Sequence, residues 1–120
     1  MHTSPFFLVV SGSRHFNNPS VIAQHLSAAL RKQPHLVLVS GGAKGCDTLV
    51  RQWATQHKVP CLVVPAQWQR YGKGAGPIRN RFMLSMAQGL LAFPLASSRG
   101  TTSITKAAHK AGLPIRVVQS

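Results

Sequence analysis

The chain has 120 residues, of which 44% are apolar, and sets 14 lysines and arginines against a single acidic residue for a net charge of +13. That length suits one domain with a real core, read here as a single unit over 1–120, and no apolar run approaches a membrane span. A lone carboxylate excludes hydrolysis by a carboxylate pair within one chain, and so many cations without acidic neighbours attract phosphate-bearing partners.

Taken in order, Phe6-Phe7-Leu8-Val9-Val10 is a continuous apolar run that predicts a buried strand. It ends in the polar turn Ser11-Gly12-Ser13-Arg14. Asn17-Asn18-Pro19-Ser20 marks a helix start at Pro19 or Ser20, after which Val21, Ile22, His25, Leu26, Ala29 and Leu30 recur at helical spacing. Arg31-Lys32-Gln33-Pro34 closes that helix with cations suited to its C-terminal dipole and a proline stop.

The second strand, Leu36 to Ser40, feeds Ser40-Gly41-Gly42-Ala43-Lys44-Gly45-Cys46-Asp47, the stretch that matters most. Strand, glycine-rich turn and helix together make an arrangement that can hold an anion. Glycines allow positive φ and close backbone approach, and the N–H groups of the helix start point at the bound charge. Lys44 adds a full positive charge. Asp47 is the only acid of the chain: a catalytic candidate, or simply an acid favouring a helix start. Cys46, at the same helix start, is either a thiol of lowered pKa or a small packed side chain.

The following helix, Thr48 to His57, carries Leu49, Val50, Trp53 and Ala54 on one face, which reads Trp53 as core. Pro60 to Pro65 predicts a third buried strand bracketed by prolines. Ala66 to Gly76 is expected to be the longest irregular segment. There Trp68 and Tyr71 could stack on a base while Arg70 and Lys73 meet phosphate; alternatively, Trp68 plugs the loop onto the core. A helix with Pro77 in its first turn should run to Gln88, burying Ile78, Phe82, Met83 and Met86. Arg79 and Arg81 near its start oppose the dipole at a cost of about a few tenths of a kcal/mol each, which a bound anion would offset. Leu90 to Phe93, ended by Pro94, is a fourth strand. Ser97 to Ser103 is a second polar turn, before a helix from Ile104 to Lys110 with a glycine C-cap at Gly112. Pro114 to Val118 is the last strand.

Strands alternating with helices predict an α/β Rossmann-like three-layer sandwich, with a mostly parallel five-stranded sheet in the order 3-2-1-4-5. Ligands then bind beyond the carboxyl ends of the strands. The basic turns all follow strands, which gathers Arg14, Lys44, Arg70 and Arg99 on one edge. There is no G-x-G-x-x-G after the first strand, no G-x-x-x-x-G-K-[ST] and no G-x-S-x-G, so neither a dinucleotide cofactor, a P-loop nor a nucleophile elbow is expected. Cys46 and Cys61 form no C-x-x-C pair and the histidines share no ligand spacing, so no metal and no cofactor is expected. Met1 to Pro5 lacks a basic n-region and a cleavage pattern, so the expected setting is cytoplasmic, with no membrane partner.

Gly12-Ser13-Arg14, Gly41 to Asp47, Ala75-Gly76-Pro77-Ile78-Arg79-Asn80 with Met83, and Phe93-Pro94 followed by Arg99-Gly100-Thr101 together resemble the SLOG superfamily. More closely they resemble its short YspA/YpsA-related members in bacteria and phages, and a phage-encoded chain would work in the host cytoplasm. The resemblance spans nearly the whole chain in order. It implies a Rossmann-like fold with a pocket for nucleotides or nucleotide-derived ligands. The superfamily also includes LOG-type phosphoribohydrolases and the single-strand DNA-binding DNA-processing protein A. The LOG enzymes follow a proline-glycine-glycine, glycine-threonine motif with a glutamate. Here the stretch reads Pro94-Leu95-Ala96, then Gly100-Thr101-Thr102-Ser103-Ile104, without the paired glycines or the glutamate. Phe82 stands where related short members tend to have an acid.

The leading expectation is therefore a binding or sensing module for a phosphorylated, nucleotide-derived small molecule. Gly41, Gly42, Lys44 and Gly45 would cradle phosphate, with Gly12, Ser13, Asn80 and Pro94 as further ligand-binding candidates. Gly100, Thr101 and Thr102 would supply further donors. Arg14 and Arg79 would pair with phosphate in forked geometry, Asp47 would accept from ribose, and Trp68 and Arg99 complete the ligand-binding candidates. The alternatives are single-stranded nucleic-acid binding along the same edge, and phosphoribohydrolysis with Asp47 as the only candidate acid. Related folds often dimerise, which leaves a homodimer open.

Overall fold

The computed structural model describes residues 4–42, 44–95 and 99–118, with 99 and 100 described by their backbone alone. Five strands form one sheet: β1 (Phe6–Gly12), β2 (Leu36–Ser40), β3 (Cys61–Val63), β4 (Gly89–Phe93) and β5 (Ile115–Val117). The helices are α1 (Pro19–Lys32), α2 (Cys46–His57), the single-turn α3 (Trp68–Tyr71), α4 (Ala75–Met86) and α5 (Arg99–Lys110). A 3-10 turn over Gly72–Gly74 joins α3 to α4.

The sheet order is β3-β2-β1-β4-β5 and every pairing is parallel. This is the order expected from the sequence. β1 lies at the centre, with Phe6 opposite Leu36 on one side and Val9 opposite Leu90 on the other. Its near-continuous apolar run follows from that position, because a central parallel strand is covered on both faces. Val9 and Val10 are wholly buried and point to opposite cores. One core lies under α1 and α2, around Leu8, Val10, Ile22, Leu26, Val50, Trp53 and Phe93. The other lies under α4 and α5, around Val9, Val39, Met83, Leu90 and Ile104. Trp53 is core, as its spacing indicated.

Local signals fix most helix ends. The Asn18 side chain accepts from the Val21 N–H at 3.2 Å, with Pro19 in the first helical position. Gly112 adopts φ +75 and donates to the His109 carbonyl at 3.0 Å, closing α5 as a glycine C-cap.

Five expectations are corrected. The segment 66–76 is not irregular. It folds into α3 and the 3-10 turn, and α4 begins at Ala75, with Pro77 still inside its first turn. β3 is not a buried strand: it is an edge of three residues, with Leu62 44% and Val63 43% exposed. Phe82 is 48% exposed, and Leu84 packs inward with Met83 instead. α5 starts at Arg99 rather than Ile104, so the Arg99 to Ser103 part of the expected polar turn is helix. α4 also stops at Met86 rather than Gln88. The Gln88 amide donates to the Phe7 carbonyl at 2.8 Å and its side-chain oxygen accepts from Phe7 at 2.6 Å, tying the start of β4 to β1.

Among the described residues no helix is long and apolar enough to cross a membrane, and no cluster of His, Cys, Asp or Glu could hold a metal ion.

Candidate phosphate-binding rim

In a parallel sheet all strands end at one edge, so the turns after β1, β2, β3 and β4 meet there. The contacts between them are direct. Ser13 donates its N–H to the Phe93 carbonyl at the end of β4, at 3.1 Å. The Ser13 carbonyl accepts from the N–H of Cys46, the first residue of α2, at 3.2 Å. Its hydroxyl accepts from His15 N–H at 3.0 Å. Ser13 is thus a buried link between the ends of β1 and β4 and the start of α2.

The glycines explain how the turns come so close. A Cβ on Gly12 would stand 2.5 Å from Cys46 Sγ and 2.9 Å from the Phe93 carbonyl. A Cβ on Gly45, whose φ is +71, would collide with the Arg14 backbone carbonyl. A Cβ on Gly41 would collide with the guanidinium of Arg79. Gly42, at φ +76, is exposed; its N–H is held by the Ser40 hydroxyl at 3.3 Å, and a Cβ there would meet Val63 at 2.7 Å. The close approach these glycines permit is therefore between parts of the chain itself. The turn after β1 and the turn after β2 are interlocked backbones.

Arg79 is built into the same structure. It reaches from α4 under the turn, donating through Nη1 to the carbonyls of Gly41 at 2.9 Å and Val64 at 3.4 Å, and through Nε to Asn80 Oδ1 at 2.8 Å. Burial pulls its pKa below the ordinary value, and the negative charge of Asp47 opposes that shift. Asp47, 6% exposed, occupies the first turn of α2. The sole carboxylate of the chain thus supports a half-buried guanidinium. The sequence reading gave Arg79 a forked pairing with phosphate. The structure turns Nε and Nη1 onto protein acceptors, and Asn80 onto Arg79.

Cys46 resolves the thiol question. It is wholly buried, and burial, aided by the adjacent Asp47 charge, pushes its pKa from 9.0 up to about 12. Desolvation of the thiolate outweighs the helix dipole here. Cys46 is a packed side chain.

Outside this interlocked floor the side chains are exposed: Arg14, Lys44, Trp68, Arg70, Tyr71 and Lys73. Trp68 is 60% exposed, which excludes the plug onto the core. Its ring lies 3.6 Å from the position of a Cβ on Gly76, so it borders the first turn of α4. Arg70 stands over the Tyr71 ring, 5.1 Å from its centre. Pro94 is half-buried beyond β4, Thr101 is buried in the first turn of α5, and Thr102 is exposed. Ala43, Ser97, Ser98 and the side chains of Arg99 and Gly100 lie outside the described residues. Ser40, though part of the glycine stretch, was assigned no role there, and Val64 was not anticipated. Ser40 had a signal, a hydroxyl directly before a glycine pair. Val64 contributes a main-chain carbonyl, which side-chain identity cannot announce.

An all-parallel sheet with its glycine turns locked together at the strand ends defines a Rossmann-like α/β protein. The chain belongs to the YspA, cpYpsA-related SLOG family, whose profile matches residues 7–71. It is 36% identical over 115 residues to the Gene 61 protein of Mycobacterium phage D29, covering 90% of this chain and 92% of that one. Its fold is similar to DNA processing protein A from Streptococcus pneumoniae, with a TM-score of 0.75 at 22% identity over 94% of this chain and 50% of that chain. It is also similar to DNA processing protein A from Helicobacter pylori, described for its single-stranded DNA binding mode, with a TM-score of 0.64 at 21% identity over 94% of this chain and 65% of the other. The chain thus spans only half to two thirds of these two structures.

Proposed function

We propose that the strand-end rim binds single-stranded nucleic acid. The observation that carries this is the pairing of exposed aromatics with exposed cations, Trp68 and Tyr71 with Arg70 and Lys73, along α3 and the 3-10 turn that follows it, beside the first turn of α4. Aromatic faces take unstacked bases of any identity, and neighbouring cations track the phosphates. The net charge of +13 supplies the long-range attraction. The single-strand binding described for the Helicobacter pylori neighbour supports the same reading. So does the filling of the space beside Gly12, Gly41 and Gly45 by the chain's own atoms, which favours a ligand lying along the rim over one sunk beneath the glycines. On this reading the protein works in the cytoplasm, the host's where a phage carries the gene.

A nucleotide-derived small molecule is the second reading. It is favoured by the starts of α2 and α5, which follow β2 and β4 and so open at the same edge, where a helix N-terminus suits a terminal phosphate.

Fluorescence anisotropy with oligo-dT of increasing length tests the two. Single-strand binding predicts affinity that rises with length and falls with salt, with a log–log slope of about −0.7 per phosphate engaged. Trp68→Ala should weaken oligo-dT binding while leaving heparin binding intact, which separates the rim from general polyanion attraction. Equal loss of both, or saturation by a mononucleotide as tight as by the oligomer, would overturn the single-strand reading.

A further inference from the structure

The two faces of the sheet are not equally covered. α2 packs on β1 and β2 and beside α1, whose Ile22 and Leu26 share one core with Leu91 and Phe93 of β4, while α4 and α5 take the other face. Among the described residues no further helix lies beyond α1 toward β5 on this face. A groove of about 610 Å³ opens there. Phe6, Leu8 and Leu91 form its floor, Ala28 of α1 lines one wall, and Lys32 and Arg116 stand at its sides. Ala28 is part of the cause, since a methyl group leaves room that a larger side chain would fill. Phe6 opens β1 and Ile115, also in the lining, opens β5, so the groove lies toward the strand starts, at the end of the sheet away from the rim.

We propose that this groove is a second binding site, for a small amphiphilic anion: an apolar body on the Phe6, Leu8 and Leu91 floor, with one carboxylate or sulfonate head between Lys32 and Arg116. The charge pattern carries the assignment. Lys32 and Arg116 are exposed, and the only acidic side chain of the chain is buried in the first turn of α2 at the opposite end of the strands. No acidic side chain of this chain can meet them there. A second copy brings none either, and would bring another +13 of charge. The occupant that complements the site is a foreign acid with an apolar body.

Size selects a small molecule over a helix. The volume falls inside the range of roughly 300–1,000 Å³ usual for small-ligand sites. About a turn and a half of a helix some 10 Å wide would already fill it.

The probe is 8-anilinonaphthalene-1-sulfonate, with decanoate as a non-fluorescent competitor and inorganic sulfate as the head group alone. The expected result is saturable one-to-one binding, displaced by decanoate and not by sulfate at equal concentration. The double variant K32Q/R116Q should weaken it by about tenfold or more through loss of the charged contacts. Ala28→Phe should abolish it by filling the wall. Should Ala28→Phe fail to fold, the double variant decides alone, since both its positions are exposed. Binding unchanged in K32Q/R116Q, binding retained in folded Ala28→Phe, or binding lost on Trp68→Ala instead would each overturn the proposal.

Discussion

The guanidinium of Arg79 donates through Nη1 to the Gly41 carbonyl at 2.9 Å, and it fills the space where a Cβ on Gly41 would stand. A side chain from α4 thus holds the turn after β2 from below. Replacing it with lysine keeps the charge and loses the planar fork that serves Gly41, Val64 and Asn80 together. Arg79→Lys should lower stability by about 1–3 kcal/mol, the scale of hydrogen bonds made by a charged donor. Urea unfolding measures it. If Arg79 instead serves chiefly to grip phosphate, stability will hold and only ligand affinity will fall.

Gly45 and Gly72 make a matched pair. Their backbones share a region, φ 71 with ψ −117 and φ 56 with ψ −131, that L-residues rarely adopt. Alanine should cost about 1–3 kcal/mol at either from backbone strain alone. Around Gly72 there is nothing within 4 Å of the added Cβ, whereas at Gly45 it collides with the Arg14 backbone. Gly45→Ala should therefore be the more damaging, and should loosen the rim as well. Melting temperatures of the two variants side by side report the difference; equal losses would mean that the two strand-end turns are not locked together.

Trp68→Ala and Tyr71→Ala should leave stability nearly unchanged, because both rings are largely outside the cores. Each should weaken oligo-dT binding by about 1–3 kcal/mol if a base stacks on it. Anisotropy titrations at fixed salt, paired with thermal melts, separate this outcome from a packing role.

Cys46 gives a pH signature. Its thiol stays protonated in the fold up to about pH 12 but ionises near 9.0 when unfolded. A raised folded pKa means a contribution to stability that is complete below pH 9 and lost as the pH climbs through the folded value. The slope reaches at most about 1.4 kcal/mol per pH unit over that window. Cys46→Ala should flatten this alkaline decline. Asp47→Asn should lower the thiol pKa, because the carboxylate adds to the effect of burial. Denaturation midpoints between pH 8 and 11 give the first result, and the pH dependence of iodoacetamide labelling gives the second.

Much of the fold was written locally. The apolar runs at Phe6, Leu36 and Leu90, the Asn18-Pro19 helix start and the Gly112 cap each depend on neighbours in the chain, and their alternation forces parallel strands whose ends share an edge. That alone brings the strand-end turns to one side. What local pattern could not supply was coverage and partnership. Leu62 and Val63 read as core because they are apolar, yet β3 falls at the sheet edge, where one neighbour is missing. Phe82 read as buried by its spacing, yet the inward direction of α4 is set by how the helix seats on the sheet.

The same division runs through the rim. Sequence placed glycines and cations there, because composition and strand order suffice for that. Only the folded chain decided what the glycines face. Gly41 and Arg79 lie 38 residues apart, Gly12 and Cys46 are also far apart in sequence, and their contacts exist only once the sheet is assembled. A glycine's missing side chain says that something comes close. Whether that something is a ligand or another part of the chain depends on long-range packing, which no stretch of residues contains by itself.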